Sequence, residues 1–410
     1  MRYALRSGAL FIGLLVLTLQ IHAVQDTGAF SMVERSDWRR YDNGKYTGLV
    51  RNEVRASIIL HDADNDNESA FYQGVYFVLQ STLRDMRQSA QAVDAIIPVS
   101  YELMKNGGME IEDDRGFPMM RGFPYFPNQW VAHGAKWRAS GNRAVDPLNT
   151  GQPVVIPFIV EYEYRGIEYY NGIPVHRIYA MYGYNYLNTI AAHPYLRAFG
   201  NHKVDILIRV ADKLPVFMRD DLTVKYTLSD NTTVEFRGFT LTFSYDLLPI
   251  DRETVIASLE DILKIETPVL IPAPEPGAAI PVDTGGLKDI VLTPVPEGIK
   301  LTINDIRFIA DSPAFLPEEK TRLDLLAEAL KKIPDRTFLV EGHTASTGQP
   351  VNEMELSIER AKSIINELVK RGINAERFIY KGWGGIKPAG DNATAAGRAV
   401  NRRVEITILE

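Results

Sequence analysis

The hydrophobic pattern divides the chain into a strand-rich first part and a last part in which strands and helices alternate. In the first part, runs rich in Val, Ile, Tyr and Phe are separated by Gly, Asn and Asp turns, as in antiparallel sheets. We therefore expect an antiparallel sandwich or barrel-like sheet in residues 24–265, with a split near residue 150 as an alternative. The predicted strands are Gln152–Tyr164, Ile173–Tyr182, Lys203–Val210, Thr223–Leu228 and Thr232–Tyr245.

Two helices are expected within this strand-rich region. Apolar residues recur at helical spacing between Phe71 and Val93, which predicts one long helix. Arg252–Lys264 predicts a shorter helix that closes the region. The stretch Trp130–Pro147, with Phe117, Phe123, Tyr125 and Phe126 before it, could line a binding groove, although aromatic residues in a strand-rich domain more often form the core.

From Ile299 onward, the alternation predicts an α/β sandwich with helices on one face of a mixed sheet, so the whole chain is classed as α+β. Asn352 is predicted to cap the second helix, with Glu355 completing a capping box and Gly372 ending the helix. The predicted strands are Ile299–Phe308, Thr337–Glu341, Arg377–Gly382 and Arg403–Leu409, and the predicted helices are Pro317–Ile333 and Glu353–Arg371.

A Pro-rich linker is predicted at residues 266–298, which contain seven prolines in 33 residues. Such a sequence favours an extended, semi-rigid spacer. Its LKDIVL stretch could instead form an irregular edge strand. The linker separates the strand-rich region from a domain at residues 299–410.

Residues 1–23 have the pattern of a secretory signal peptide. Arg2 and Arg6 precede the apolar run Ala9–Leu19, and Ala23 is a small residue at the expected cleavage point. The run is short for a membrane span, although an uncleaved anchor helix is the alternative. We therefore expect a secreted protein.

Charge and composition exclude several classes of function. The net charge is −7, and a nucleic-acid-binding protein needs a basic face instead. The last domain carries +1 and the signal peptide +2, so the acidic character lies in Val24–Gly298, which carries −10. There is no cysteine, no HExxH, no GxSxG and no phosphate-binding glycine motif. We therefore predict no catalytic residue, no metal and no cofactor.

The last domain carries a long series of spaced motif residues, and on these it resembles the OmpA-like peptidoglycan-binding family. The resemblance covers just over a quarter of the chain and implies a periplasmic module that holds the peptide stem of peptidoglycan without a covalent bond. The motif positions are Gly342-His343-Thr344, Gly348, Asn352, Leu356-Ser357, Arg360-Ala361, Gly372-Ile373, Gly382, Gly384, Pro388, Asn392, Thr394, Gly397-Arg398 and Asn401-Arg402-Arg403-Val404-Glu405.

The resemblance also implies a ligand-binding site. In the family, an Arg in the Leu-Ser-x-x-Arg-Ala motif binds a stem carboxylate as a bidentate fork, and an Asp after Gly-His-Thr binds the ammonium. Here the Arg is Arg360, but the Asp is replaced by Ala345. His343 is expected to support its loop. The predicted ligand-binding residues are Thr344, Ala345, Asn352, Leu356, Arg360 and Arg402.

The loss of the acidic residue leaves three alternatives open. The domain could bind a stem with another diamino acid, such as ornithine; it could bind weakly; or it could have kept the fold and lost the ligand. The sequence favours a non-enzymatic periplasmic protein of the cell envelope, associated with the outer membrane or the cell wall. Its N-terminal region would interact with an envelope protein. The rival hypotheses are a cell-wall enzyme targeted by the last domain and a surface-exposed adhesin.

Overall fold

A computed structural model describes residues 29–63, 69–79, 90–127, 131–146, 153–189, 195–247, 250–263, 290–304, 306, 315–316, 319–333 and 336–410. The predicted signal peptide and most of the predicted linker lie outside these residues. Among the described helices, none is both long and apolar enough to cross a membrane.

The N-terminal region is built from strands, as predicted. Its described residues form β1 (Ala29–Asp42), β2 (Lys45–Ala63), β3 (Ser69–Leu79), β4 (Gln91–Met104), β5 (Met109–Glu110), β6 (Met120–Arg121), β7 (Lys136–Val145), β8 (Val154–Tyr170), β9 (Ile173–Leu187), β10 (Tyr195–Arg209), β11 (Pro215–Leu228) and β12 (Thr233–Asp246).

These strands form one antiparallel ladder, which we call the N-terminal sheet. Its order is β4-β3-β2-β1-β12-β11-β10-β9-β8-β7, with β5 paired to β4 and β6 paired to β7. Alternate side chains point to a shared interior: Ile156, Val160 and Tyr162 of β8 are buried, whereas Ile159 is 58% exposed. The strands were predicted from their Val, Ile, Tyr and Phe content and the turn residues between them, and the structure adds this two-residue period of burial.

The helix predicted at Phe71–Val93 is wrong. The structure places β3 and the start of β4 there, and residues 80–89 lie outside its description. Tyr72 and Tyr76 belong to the cluster inside the sheet, whereas Phe77 and Leu79 pack against the C-terminal domain. Because both faces of β3 are buried, its apolar residues do not alternate with polar ones, and the run resembles a helix.

The C-terminal elements follow the predicted order. They are α1 (Arg252–Leu263), β13 (Ile290–Val295), β14 (Gly298–Asn304), α2 (Glu319–Lys331), β15 (Phe338–Gly342), α3 (Pro350–Lys370), a 3-10 turn (Ala375–Arg377), β16 (Phe378–Gly382), α4 (Ala395–Asn401) and β17 (Arg403–Leu409). The helix predicted at Arg252–Lys264 is confirmed as α1. Sequence reasoning did not find α4.

The C-terminal sheet is mixed and has the order β13-β14-β17-β15-β16, in which only β15 and β16 of the described pairs run parallel. Alternate side chains, such as Leu301, Val340 and Ile406, pack against α1, α2 and α3 in one core. Helix α1 therefore belongs to the C-terminal core, although its sequence lies before the Pro-rich segment. The end of that segment forms β13, as the LKDIVL alternative anticipated.

The second face of the C-terminal sheet contacts the N-terminal sheet. Strand β16 pairs in parallel with the start of β4, through Ile379 and Tyr380. Beside this ladder, Leu339, Ile379 and Leu409 pack in one cluster with Phe77 and other residues of β3 and β4. The Nζ of Lys381 also donates to main-chain oxygens of the β4 strand. A Pro-rich sequence favours a spacer, but the described parts of the two regions are in direct contact.

Candidate functional site

Helix α3 begins at Pro350, and its amino end is capped by a carboxylate of its own. The Glu353 side chain accepts hydrogen bonds from the backbone N–H groups of Thr347 (2.5 Å) and Gln349 (3.2 Å). Gln349 occupies the N-cap position and makes no side-chain cap bond. The predicted Asn352–Glu355 capping box is therefore wrong, because the helix starts at Pro350, three residues before the predicted start at Glu353.

Three of the predicted ligand-binding residues lie in a row on α3. Asn352, Leu356 and Arg360 are spaced four residues apart, so they share one face of the helix. Asn352 is exposed, Leu356 is half-buried and Arg360 is 8% exposed. Arg360 is already engaged by another residue of the chain. Asn352 donates to Gln349 Oε1 at 2.9 Å.

Thr344 and Ala345 lie in the loop that follows β15. The Thr344 N–H donates to the Gly384 carbonyl at 2.9 Å, and the amide of Ser346, on the other side of Ala345, donates to Asn392 Oδ1 at 3.0 Å. Both residues are buried, and the hydroxyl of Thr344 has no hydrogen-bond partner among the described residues. A buried hydroxyl without a partner is a group that a ligand could satisfy.

Asn401 fixes the geometry of these loops, and sequence reasoning did not single it out as a site residue. Its side chain is fully buried, and its Oδ1 accepts from the amides of Ala389 (2.7 Å) and Gly390 (2.8 Å). Its Nδ2 donates to the Gly390 carbonyl and to Asn392 Oδ1, both at 2.8 Å. Because Asn392 Oδ1 also holds Ser346, the two asparagines connect the loop of Ala345 to the loop before α4. Both belonged to the motif series, which was the available signal.

The two arginines at the start of β17 have different environments. Arg402 is exposed, whereas Arg403 is buried and donates to Glu405 Oε1 at 2.7 Å. No described contact links Arg402 to Thr344, Ala345 or α3. His343 is 2% exposed, and its burial, together with the nearby Arg403, lowers its pKa to about 3. His343 is therefore neutral at physiological pH.

No cluster of three or more His, Asp or Glu side chains with the geometry of a metal site occurs in the described part of the chain.

Glu353 should make the stability of the chain depend on acidity in a defined direction. The amide of Thr347 is the largest of several backbone donors that lower the pKa of Glu353 below its ordinary value of 4.5. Since the folded pKa is depressed, this stabilisation is complete above about pH 4.5 and is lost as pH falls through the folded pKa. Urea unfolding should therefore show a smaller free energy of unfolding for Glu353→Gln than for wild type at pH 7. This difference between the two proteins should be smaller at pH 3. If the difference in the free energy of unfolding did not change with pH, the ionised carboxylate of Glu353 would not be the source of the stabilisation.

Comparison with known proteins places the C-terminal region in a family. The model of the OmpA family matches residues 307–402. Outer membrane protein A of Bordetella avium is 38% identical over 117 residues, which are 28% of this chain and 60% of that protein. The peptidoglycan-binding protein ArfA of Mycobacterium tuberculosis H37Rv is 36% identical over 108 residues, which are 26% of this chain and 33% of that protein.

Among solved structures, an outer membrane protein from Borrelia burgdorferi B31 is 35% identical to this chain. The match covers 30% of this chain and 97% of that one, with a TM-score of 0.25. This chain spans less than two thirds of the length of the two relatives above. The family match shows that residues 307–402, in the C-terminal part of the chain, are an OmpA family domain.

Proposed function

We propose that this is a non-enzymatic protein of the cell envelope whose C-terminal domain associates non-covalently with peptidoglycan. The observation that carries the proposal is the family match at residues 307–402. A relative that is 36% identical over 108 residues is a peptidoglycan-binding protein. The signal-peptide pattern of residues 1–23 supports secretion to the periplasm, in contact with the cell wall or the outer membrane.

The chemistry of the proposed site rests on α3 and on the loop after β15. The guanidinium of Arg360 would bind a carboxylate of the peptide stem, since its planar fork can donate two parallel hydrogen bonds. The unpartnered hydroxyl of Thr344 lies in the adjacent loop and offers a further hydrogen bond. Ala345 supplies no carboxylate for an ammonium group. We therefore favour a weak interaction, or a stem whose diamino acid does not need that carboxylate.

Co-sedimentation of the full chain with purified sacculi tests this proposal. We expect wild type to pellet with sacculi and Arg360→Lys to bind about tenfold more weakly, because lysine cannot form the two-bonded fork. Ala345→Asp should bind diaminopimelate-type sacculi about ten- to a hundredfold more tightly, since it restores one charge-assisted hydrogen bond. Ornithine-type sacculi should not gain in the same way.

Lys370→Ala is the matched control, because Lys370 is a cation at the carboxyl end of α3 with a side chain 70% exposed. It should bind sacculi as wild type does. Because Arg360 and Ala345 are buried, the fold of each variant is checked first. Only variants that melt at the wild-type temperature are compared in the sedimentation experiment. If neither wild type nor folded Ala345→Asp pellets with any sacculi, the proposal is wrong and the domain has kept only its fold.

For the N-terminal region we propose an interaction role with another component of the envelope. The rival hypothesis, a cell-wall enzyme, predicts clearing of peptidoglycan by the purified chain in a zymogram. We expect no clearing.

A further inference from the structure

The N-terminal sheet contains a cavity of about 170 Å³ at the end where β1 begins and β12 ends. Strands β1–β4, β11 and β12 line it, together with the segment that joins β4 to β7. An engineered apolar cavity of ~150 Å³ is large enough to bind benzene. The cavity can therefore hold a small organic molecule.

Most of the cavity wall is apolar and adaptable. Five of the chain's ten methionines contribute to it, with several phenylalanines. Methionine is flexible and polarizable, so a methionine-rich wall can adjust to apolar groups of different shape. The methionines are Met32, Met109, Met119, Met120 and Met218.

Glu34 interrupts this apolar wall. Its side chain lines both the cavity and a smaller, more polar pocket of about 40 Å³ beside it. No described residue forms a hydrogen bond with its carboxyl group. Burial raises the pKa of Glu34, the nearby Arg143 opposes that rise, and Asp220 adds to it. Glu34 is half-buried, so its carboxyl group faces the space of the cavity, and a polar group set in an apolar wall is stabilised by a hydrogen-bonding partner.

The charged groups facing Glu34 from β7 and β11 are paired with each other, although Asp220 Oδ1 and His202 Nε2 have no hydrogen-bond partner among the described residues. The guanidinium of Arg143, on β7, donates to the Tyr182 hydroxyl at 3.0 Å and lies 3.6 Å from Asp220 Oδ2. Asp220, on β11, is also 2.8 Å from His202 Nδ1 of β10. Burial lowers the pKa of His202, so its ring is neutral at physiological pH.

Tyr76 faces Glu34 from β3, and burial together with Glu34 raises the pKa of this phenol far above its usual value of 10, so it carries no charge. Arg143 and Asp220 offset each other, and the Nζ of Lys213, which also lines the cavity, donates to the Val210 carbonyl at 2.8 Å. Among the described residues, neither cation forms an ion pair with the carboxyl of Glu34. A ligand that completes the site must bring one positive charge and a hydrogen-bond donor.

We propose that the cavity binds a small molecule with an apolar body and a single cationic amine, whose ammonium donates to Glu34. The apolar body would lie among the methionines and phenylalanines, and the ammonium would reach the boundary of the polar pocket. The site is separate from the peptidoglycan-binding residues, so the two proposals can fail independently.

Three probes of equal chain length test the proposal on the full chain by isothermal titration calorimetry at pH 7: hexylamine, 1-hexanol and hexanoate. We expect hexylamine to bind about ten- to a hundredfold more tightly than 1-hexanol, because its hydrogen bond to Glu34 is charge-assisted. Hexanoate should bind most weakly, since it places a second carboxylate beside Glu34.

Glu34→Gln removes the charge and preserves the shape of the side chain. It should reduce the affinity for hexylamine to that for 1-hexanol and leave 1-hexanol unchanged. Glu161→Gln is the matched control, because Glu161 lies on the outer face of β8 with a side chain 49% exposed. The proposal is overturned if hexanoate binds most tightly, if none of the probes binds, or if folded Glu34→Gln retains the wild-type affinity for hexylamine. The order of affinities in the wild type tests it even if that variant does not fold.

Discussion

Asn401→Ala is expected to destabilise the C-terminal domain by about 3–5 kcal/mol. The substitution removes all four hydrogen bonds of a fully buried amide and leaves two backbone N–H groups and one backbone carbonyl without their partner. Each buried group left unsatisfied costs about 1–3 kcal/mol, and water entering the space would recover part of the sum. Urea unfolding of the full chain measures the loss of stability.

Hydrogen exchange adds a local measurement, because the amides of Ala389 and Gly390 are the groups that lose their acceptor. In Asn401→Ala these two amides should exchange faster than in wild type, and the amide of Ser346 should follow, since Asn392 loses its support. Asn401→Asp retains the acceptor oxygen but loses the Nδ2 donor. The stability of this variant should therefore fall between those of wild type and Asn401→Ala.

Asn352→Ala is the matched control for Asn401→Ala. Asn352 is exposed and makes a single side-chain bond, to Gln349, so its loss should change stability by less than about 0.5 kcal/mol. If both alanine variants were equally stable, Asn401 would not be the residue that holds these loops.

The sequence predicted the C-terminal domain well because its signals are local. The strand predicted at Arg403–Leu409 has the bounds of β17, and the other elements deviate by a few residues at their ends. The capping of α3 could not be predicted, since Asn352 and Glu353 are both plausible caps by residue type. Only the position of Pro350 in the folded chain decides between them.

The N-terminal region was harder because long-range packing determines it. The outer face of β3 is covered by the C-terminal domain, which removed the polar half of the expected alternation and produced a false helix. The polar cluster of Glu34, Arg143, Asp220 and His202 draws on four strands, β1, β7, β11 and β10. No spacing along the sequence relates these four residues, since the pairing of the strands brings them together. Phe117, Phe123 and Phe126, which were considered for a groove, do line the cavity.

The contact between the two domains is expected to depend on Phe77. Its ring is 1% exposed and packs, on the outer face of β3, in the cluster that contains Leu339, Ile379 and Leu409 of the C-terminal sheet. Phe77→Asp would remove about 1.5–3 kcal/mol of apolar burial and bury a carboxylate without a partner, which costs several kcal/mol more. We expect the two domains of this variant to separate.

Small-angle X-ray scattering should then show a larger radius of gyration, and calorimetry should resolve two unfolding transitions where wild type shows one. The N-terminal sheet should itself stay folded, because the neighbouring Tyr76 faces its interior and is unchanged. Tyr169→Asp is the control, since Tyr169 is a 78% exposed aromatic residue of β8, and it should change neither measurement. If Phe77→Asp kept the wild-type radius and a single transition, the main-chain pairing of β16 with β4 and the hydrogen bonds of Lys381 would suffice to hold the domains together.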